Sequence, residues 1–263
     1  MKLRERWPRA VLPVGVGILC IVLWEVLVDA LHVSPFILPG PVAIAADLVK
    51  EWRLLLDALL VTLQITALAF ITATVGGALI AILFSLSRTV ENTFFPYAVI
   101  MQVTPIVAIA PLLIMWISDV RLALIACAWL IAFFPILSNT TVGLNSADRN
   151  LVELFRLYRA SRWQTLLRLR IPAAMPYFLT GVRISGGLSL TGAVVAEFVA
   201  GTGGQSSGLA YRILEASYQL KTPRLFAALL LISLTGVLIF LLTSYVSRRI
   251  LRSWHESALE RER

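Results

Sequence analysis

Charge is scarce in this sequence. Only 14% of its 263 residues are Asp, Glu, Lys or Arg, against about 25% in soluble proteins. So few charges cannot clothe a water-facing surface, which excludes an ordinary soluble enzyme or binding module. Cysteine is as sparse. Cys20 and Cys127 each lie inside an apolar run and read as small hydrophobes, with no disulfide and no metal-ligand spacing. The two histidines, His32 and His255, sit at the ends of apolar runs without an acid–base partner in sequence reach. No Ser/His/Asp or Cys/His constellation occurs in any run, so neither catalysis by this chain nor a cofactor is expected. The stretch GTGGQSSG at 201–208 lacks the lysine that a nucleotide loop requires. Any ATP hydrolysis must therefore belong to another subunit.

What the chain has in excess is apolar residues, 59% of the total, in runs of membrane-spanning length. They predict an all-α polytopic membrane protein, its core facing lipid. Six spans are expected, at about 11–28, 58–86, 96–117, 122–142, 177–199 and 225–247. The first is too long for the apolar core of a signal peptide, so it is read as a retained helix. Amphipathic segments follow at 42–53 and after the glycine-rich stretch, through Tyr218. The net charge of +8 does not point to nucleic acid, because the arginines sit at span ends. With both termini inside, inner segments carry sixteen basic residues and outer ones six. That bias predicts cytoplasmic termini and a cytoplasmic loop after the fourth span.

Small residues mark the expected contacts. Gly76-Gly77, and Gly181, Ser185, Gly186, Gly187, Ser189, Thr191 and Gly192, allow helix backbones to approach closely. Pro105 and Pro111 free carbonyls in the third span, which favours a cavity-lining position. Polar residues inside spans give the translocation-path candidates Gln102, Thr104, Arg183, Ser189 and Glu197. Each also has a plain reading. Arg183 can snorkel to the inner surface, Glu197 can pair with Arg212, and Gln102, Thr104 and Asn139 can bridge helices.

The segment 148–176 stands apart. Beginning DRNLVELFRLYRASRWQTLLRLRIP, it places a basic amphipathic stretch between apolar spans. It predicts two short helices. Asn150 caps the first, with Glu153 reaching back, and Ser161 with Gln164 forms a capping box for the second. Pro172 is expected to stop the second helix. Leu151, Leu154, Phe155 and Tyr158 share one face, and Trp163, Leu166, Leu167 and Arg170 another. Helices this short must dock on something to persist.

This segment resembles the EAA loop of binding-protein-dependent ABC importer permeases. Their pattern is Glu-Ala-Ala, three residues, Gly, nine residues, Ile-x-Leu-Pro. Glu153 takes the Glu position, Leu169 and Ile171 the Ile and Leu, and Pro172 the Pro. Leu154 and Phe155 replace the alanines. Arg159, followed by Ala160, replaces the glycine, so the turn is either strained or made differently. TPIVAIAPLLIMW in the third span and AVVAEFVAGTGG at the end of the fifth look like the nitrate/sulfonate/taurine/bicarbonate group.

The resemblance implies a type-1 ABC transmembrane domain at 56–247, preceded by an added helix and outer segment (1–55) and followed by a cytoplasmic tail (248–263). It implies a multi-pass protein of the bacterial inner membrane whose loop docks on cytoplasmic ATPase subunits, with Leu154, Phe155, Tyr158 and Trp163 as apolar anchors. A periplasmic binding protein would deliver the substrate, a sulfonate-, nitrate- or bicarbonate-like anion or a vitamin precursor. A second permease subunit, most simply a second copy, would complete the path. The competing readings are a secondary transporter, which needs intramembrane carboxylates for coupling, and a structural membrane subunit, which needs no docked loop.

Overall fold

Uninterrupted apolar sequence must satisfy its backbone polar groups internally, and helix does so. Helix is the regular structure throughout the described residues. The computed structural model describes residues 6–201 and 207–252. Lys2, Arg4, most of the glycine-rich stretch and the tail with His255 lie outside them.

α1 (Arg6–Ala30) leads through a turn into the short α2 (Pro41–Lys50), and α3 (Trp52–Leu86) follows as an unbroken helix of 35 residues. The next stretch corrects the expectation that the third span is one continuous helix. It is two helices, α4 (Arg88–Val103) and α5 (Ile106–Trp116), bent by 100° at the break. Pro105 is the cause, since its ring excludes Thr104 from the helical region; Thr104 is extended at φ −72°, ψ 124°. The Thr104 hydroxyl folds back onto the Ile100 carbonyl at 2.7 Å. Among the described residues five helices are long and apolar enough to span, and six if the bent pair makes one broken span.

α6 (Val120–Asn145) descends to α7 (Arg149–Leu157) and α8 (Arg162–Thr165), and α9 (Ile171–Ala200) rises from them. Pro172 does not stop a helix here. A π-turn over Leu166–Arg170 joins α8 to α9, with the Ile171 N–H donating to the Leu166 carbonyl. Pro172 falls in the first turn of α9, where a missing N–H costs little. Residues Arg162–Ala200 thus form a single 39-residue run. At 1.5 Å per residue it is about 58 Å long, roughly twice the hydrocarbon thickness of a bilayer. α10 (Leu209–Tyr218) and α11 (Thr222–Arg252) complete the chain.

The core is a seam between the antiparallel α6 and α9, with α3 on its other side. A Cβ on Gly192 would lie 2.8 Å from the Ala128 Cα; one on Gly181, 2.9 Å from the Pro135 carbonyl oxygen; one on Gly143, 2.9 Å from the Ala174 Cα. The Ser185 hydroxyl donates to the Ala132 carbonyl across the same seam at 2.6 Å. Of the Gly76-Gly77 pair, a Cβ on Gly77 would come within 3.3 Å of the Leu137 nitrogen of α6, while Gly76 has room. α1 is peripheral, its apolar side chains facing outward, and is held by Trp24 against Phe226 and by Glu25 accepting from the Val42 N–H.

Polar contacts gather at two opposite ends. At one, Arg170 donates to the Ser85 carbonyl at 2.8 Å and Asn145 to Glu91 at 3.2 Å. At the other, Arg224 pairs with Glu51, Arg121 donates to Gln64, and Thr222 donates to the Phe36 carbonyl. The α7–α8 segment belongs to the first end, α2 and α10 to the second.

Candidate functional site

The local chemistry of α7 and α8 fixes the loop. Its first cap differs from the expected one: Asp148, not Asn150, is the N-cap, accepting from the Asn150 N–H at 2.7 Å. Extended backbone at Asp148 lets its short side chain reach the second amide of the helix, and Glu153 is left turned to a cleft. The Ser161–Gln164 capping box is present in both directions, at 3.2 and 2.8 Å.

Between the helices Arg159 adopts φ +53°. The Ala160 N–H donates to the Phe155 carbonyl and the Arg159 N–H to that of Arg156, both at 2.9 Å. This is a Schellman turn with arginine in the position glycine prefers. A left-handed non-glycine residue costs about 1–2 kcal/mol. Arg159→Gly is therefore expected to stabilise the turn by about 1 kcal/mol, slowing amide exchange over 155–161 by about fivefold. Unchanged or faster exchange there would contradict the strain.

The two helices divide their surfaces. Arg149, Val152, Glu153 and Arg156, at spacings of three and four, face a cleft. Tyr158 and Trp163, at 80% and 60% exposure, project away, with Leu154 and Leu157 also exposed and Phe155 half-buried. The expected apolar face of the second helix is split. Leu166 is 1% exposed while Leu167 is 61% exposed, since consecutive residues point about 100° apart around a helix. Leu169, Ile171 and Pro172 are half-buried at the junction, and Ala160 borders the cleft.

At the opposite end, Glu197 is 3% exposed. Its carboxyl oxygens accept from the Thr62 hydroxyl at 2.8 Å and the Ala210 N–H at 3.0 Å. The Leu209 N–H donates to Thr62 at 2.9 Å. Glu197 thus seats the N-terminus of α10 between α3 and α9. Gly208 packs on the carboxyl group so closely that any Cβ there would collide with it. Pairing of Glu197 with Arg212 does not form; Arg212 pairs with Glu215 at 2.8 Å. Nothing in the sequence pointed to Thr62, which stands 135 residues from Glu197 along the chain.

Residues 73–252 match the family of binding-protein-dependent transport system inner membrane components. The chain belongs to that family. It is the membrane permease component of an ABC importer, and relatives agree along nearly its whole length. It is 35% identical to the riboflavin transport system permease protein RibX of Chloroflexus aurantiacus, over 97% of this chain and 93% of the relative. It is 32% identical to the formylaminopyrimidine transport permease protein ThiX of Halalkalibacterium halodurans, over 90% of this chain and 93% of the relative. The putative aliphatic sulfonates transport permease protein SsuC of Bacillus subtilis is 31% identical, over 90% and 85%. A crystal structure of an amino acid ABC transporter shares the fold, with a TM-score of 0.62 and 19% identity, over 78% of this chain and 97% of that one.

The path candidates of this permease are not brought together. Gln102 is exposed and Thr104 half-buried at the α4–α5 break. Arg183 is exposed on α9, its guanidinium 5.7 Å from the centre of the Phe240 ring. Ser189 is fully buried and donates to the Gly186 carbonyl of its own helix at 2.9 Å. Asn139 likewise donates within α6, to the Pro135 carbonyl, rather than across helices. Of the five candidates Gln102 and Arg183 are exposed and Thr104 is half-buried, while Ser189 and Glu197 are buried inside the single chain.

Proposed function

We propose that α7 and α8 are the segment through which a cytoplasmic ATPase drives this permease, with hydrolysis on that separate subunit. The observation that carries the reading is the continuity of α8 with α9. A partner that grips the exposed Tyr158 and Trp163 moves a helix that runs on through the π-turn, without a break, into the centre of the bundle. Helix-in-groove docking of such aromatic anchors is a common mode of recognition. The nucleotide-closed partner then favours one of two arrangements of the spans by differential affinity.

In this reading the α7–α8 end and both termini lie in the cytoplasm of a bacterial inner membrane, as the basic-residue bias supports. Residues 56–247 form the transporting domain, and 1–55 and 248–263 flank it. A second copy of the chain completes the path, and a periplasmic binding protein delivers the solute at the α2–α10 end. Gln102, Thr104 and Arg183 are the residues proposed to line the path. The likeness to the riboflavin and formylaminopyrimidine permeases favours a heteroaromatic vitamin or vitamin precursor, with a small sulfonate as the neighbouring class. A secondary transporter would need a carboxyl group free to couple ions, whereas Glu197 is anchored.

Tyr158→Ala with Trp163→Ala is expected to weaken ATPase binding by about 100-fold, the scale of losing aromatic hot spots. Membrane insertion and chain yield stay at the wild-type level. Co-purification of the tagged ATPase subunit reads this out, and undiminished capture would defeat the docking assignment.

A further inference from the structure

The cleft behind α7 is a cavity of about 1090 Å³ between the loop, the end of α3 and the start of α4. Arg88, Arg149, Arg156, Arg162 and Arg170 line it, against the acidic Glu91 and Glu153. Three positive charges remain in excess, and they are not spent on one another's neighbours. Among the described residues the two ion pairs are Arg212–Glu215 and Arg224–Glu51, both at the other end. Glu91 is occupied by Asn145, and Arg170 is fixed by the Ser85 carbonyl so that its charge stays at the wall. Ser87, Arg88 and Thr89, at the N-terminus of the 16-residue α4, line the same cavity and add a positive helix end. Phe84, Leu86, Val152 and Leu166 supply an apolar border where the spans emerge.

We propose that this cavity is a binding site for a phosphate-bearing anion, supplied by the headgroup of an anionic phospholipid. Arginine presents a planar fork matched to phosphate oxygens. A basic cavity among helix ends beside apolar side chains suits a lipid whose tails remain in the bilayer. Its ligand would brace α7 against α3 and α4 from within, on the face opposite Tyr158 and Trp163. The inference rests on the family's membrane setting but not on ATPase docking.

The test uses the full chain, purified and delipidated without any ATPase, so that failure of the docking reading leaves it intact. Native mass spectrometry follows retention of dioctanoyl phosphatidylglycerol, dioctanoyl phosphatidylcholine and inorganic phosphate. Phosphatidylglycerol is expected to be retained selectively. Arg88→Gln with Arg156→Gln should weaken it by about thirtyfold, from the usual contribution of two basic residues at an anionic surface. Arg88→Lys with Arg156→Lys should recover most of it. Arg248→Gln with Arg249→Gln, on the final helix and outside the cavity lining, should leave it unchanged, and elution as wild type certifies the fold of each variant. Equal retention of phosphatidylcholine, or equal loss in the Arg248/Arg249 variant, overturns the site. Competition by millimolar phosphate at equal strength keeps the phosphate chemistry and overturns the lipid as its source.

Discussion

Gly192→Leu abolishes the folded permease. A Cβ alone at this position would meet the Ala128 Cα at 2.8 Å, the Ala128 carbonyl oxygen at 3.3 Å and the Ile131 Cδ1 at 3.3 Å. The first two are backbone atoms of α6, which no rotamer change can move aside. Overpacking costs about 1–3 kcal/mol and more on occasion; with backbone as the obstacle the upper end applies, a large share of a total stability of about 5–15 kcal/mol. Gly181→Leu meets the same wall, since its Cβ would face the Pro135 carbonyl and the Ile136 Cα at 2.9 and 3.2 Å. The alanine series separates packing from helix propensity. Gly76→Ala has only the Trp129 ring edge, at 3.9 Å, in front of it and should gain about 1 kcal/mol from propensity. Gly192→Ala should lose stability despite the same gain. Thermal unfolding in detergent, followed by fluorescence-detected size exclusion, reads the sign of each. A Gly192→Ala protein as stable as Gly76→Ala would mean that the seam is looser than described.

Glu197→Ala detaches α10. The carboxyl group is buried at an apolar location, which costs energy unless its oxygens are satisfied. Here the Thr62 hydroxyl and the Ala210 N–H satisfy them, and the positive end of α10 adds to the attraction. Truncation leaves the buried Ala210 N–H without an acceptor, at about 1–3 kcal/mol, turns the Thr62 hydroxyl back to the Ala58 carbonyl at 3.3 Å, and opens a space beside Gly208. The expected loss is about 2 kcal/mol, concentrated at the α2–α10 end. Amide exchange should accelerate over 207–218, while the α6–α9 seam, braced by its own close contacts, stays protected. Transport by the assembled importer should fall with it, because α10 bridges α3 and α9 at the proposed entry side. Unaltered protection of α10 would show that its apolar contacts, Leu209 and Ala210 among them, are sufficient.

The two effects differ in origin. At Gly192 the penalty is steric and falls on the centre of the bundle, so it is global. At Glu197 it is a matter of unpaired polar groups at one rim, so it is local. The permease needs both. The seam lets α9 act as one body, and the rim ties that body to α10.

Much of this was open to reading without coordinates. Apolar length set the spans, because a bilayer fixes how many helical residues are needed. Lys and Arg placement set the sidedness that is proposed. The Ser161–Gln164 box was legible because a cap is a contact over three residues. The small residues of α9 announced close packing, since nothing else favours glycine inside a membrane helix. Proline was read less well. Pro105 bent the third span sharply, because Thr104 before it leaves the helical region, whereas Pro172 left its helix running, because it falls in the first turn of α9, beyond a π-turn, where a missing donor costs little. The first cap was misassigned by two residues, since Asp148 and Asn150 carry equally suitable oxygens and backbone geometry chooses between them.

What the chain determined by itself was local or periodic: helix identity, span length, capping and the Glu153-to-Pro172 spacing of its family. What only the tertiary structure decided was which polar residues meet. Glu197 joins Thr62 across 135 residues of sequence, and Arg170 reaches Ser85 across 85. Partners so distant leave no trace in spacing, because helix packing, not chain proximity, brings them within hydrogen-bonding range.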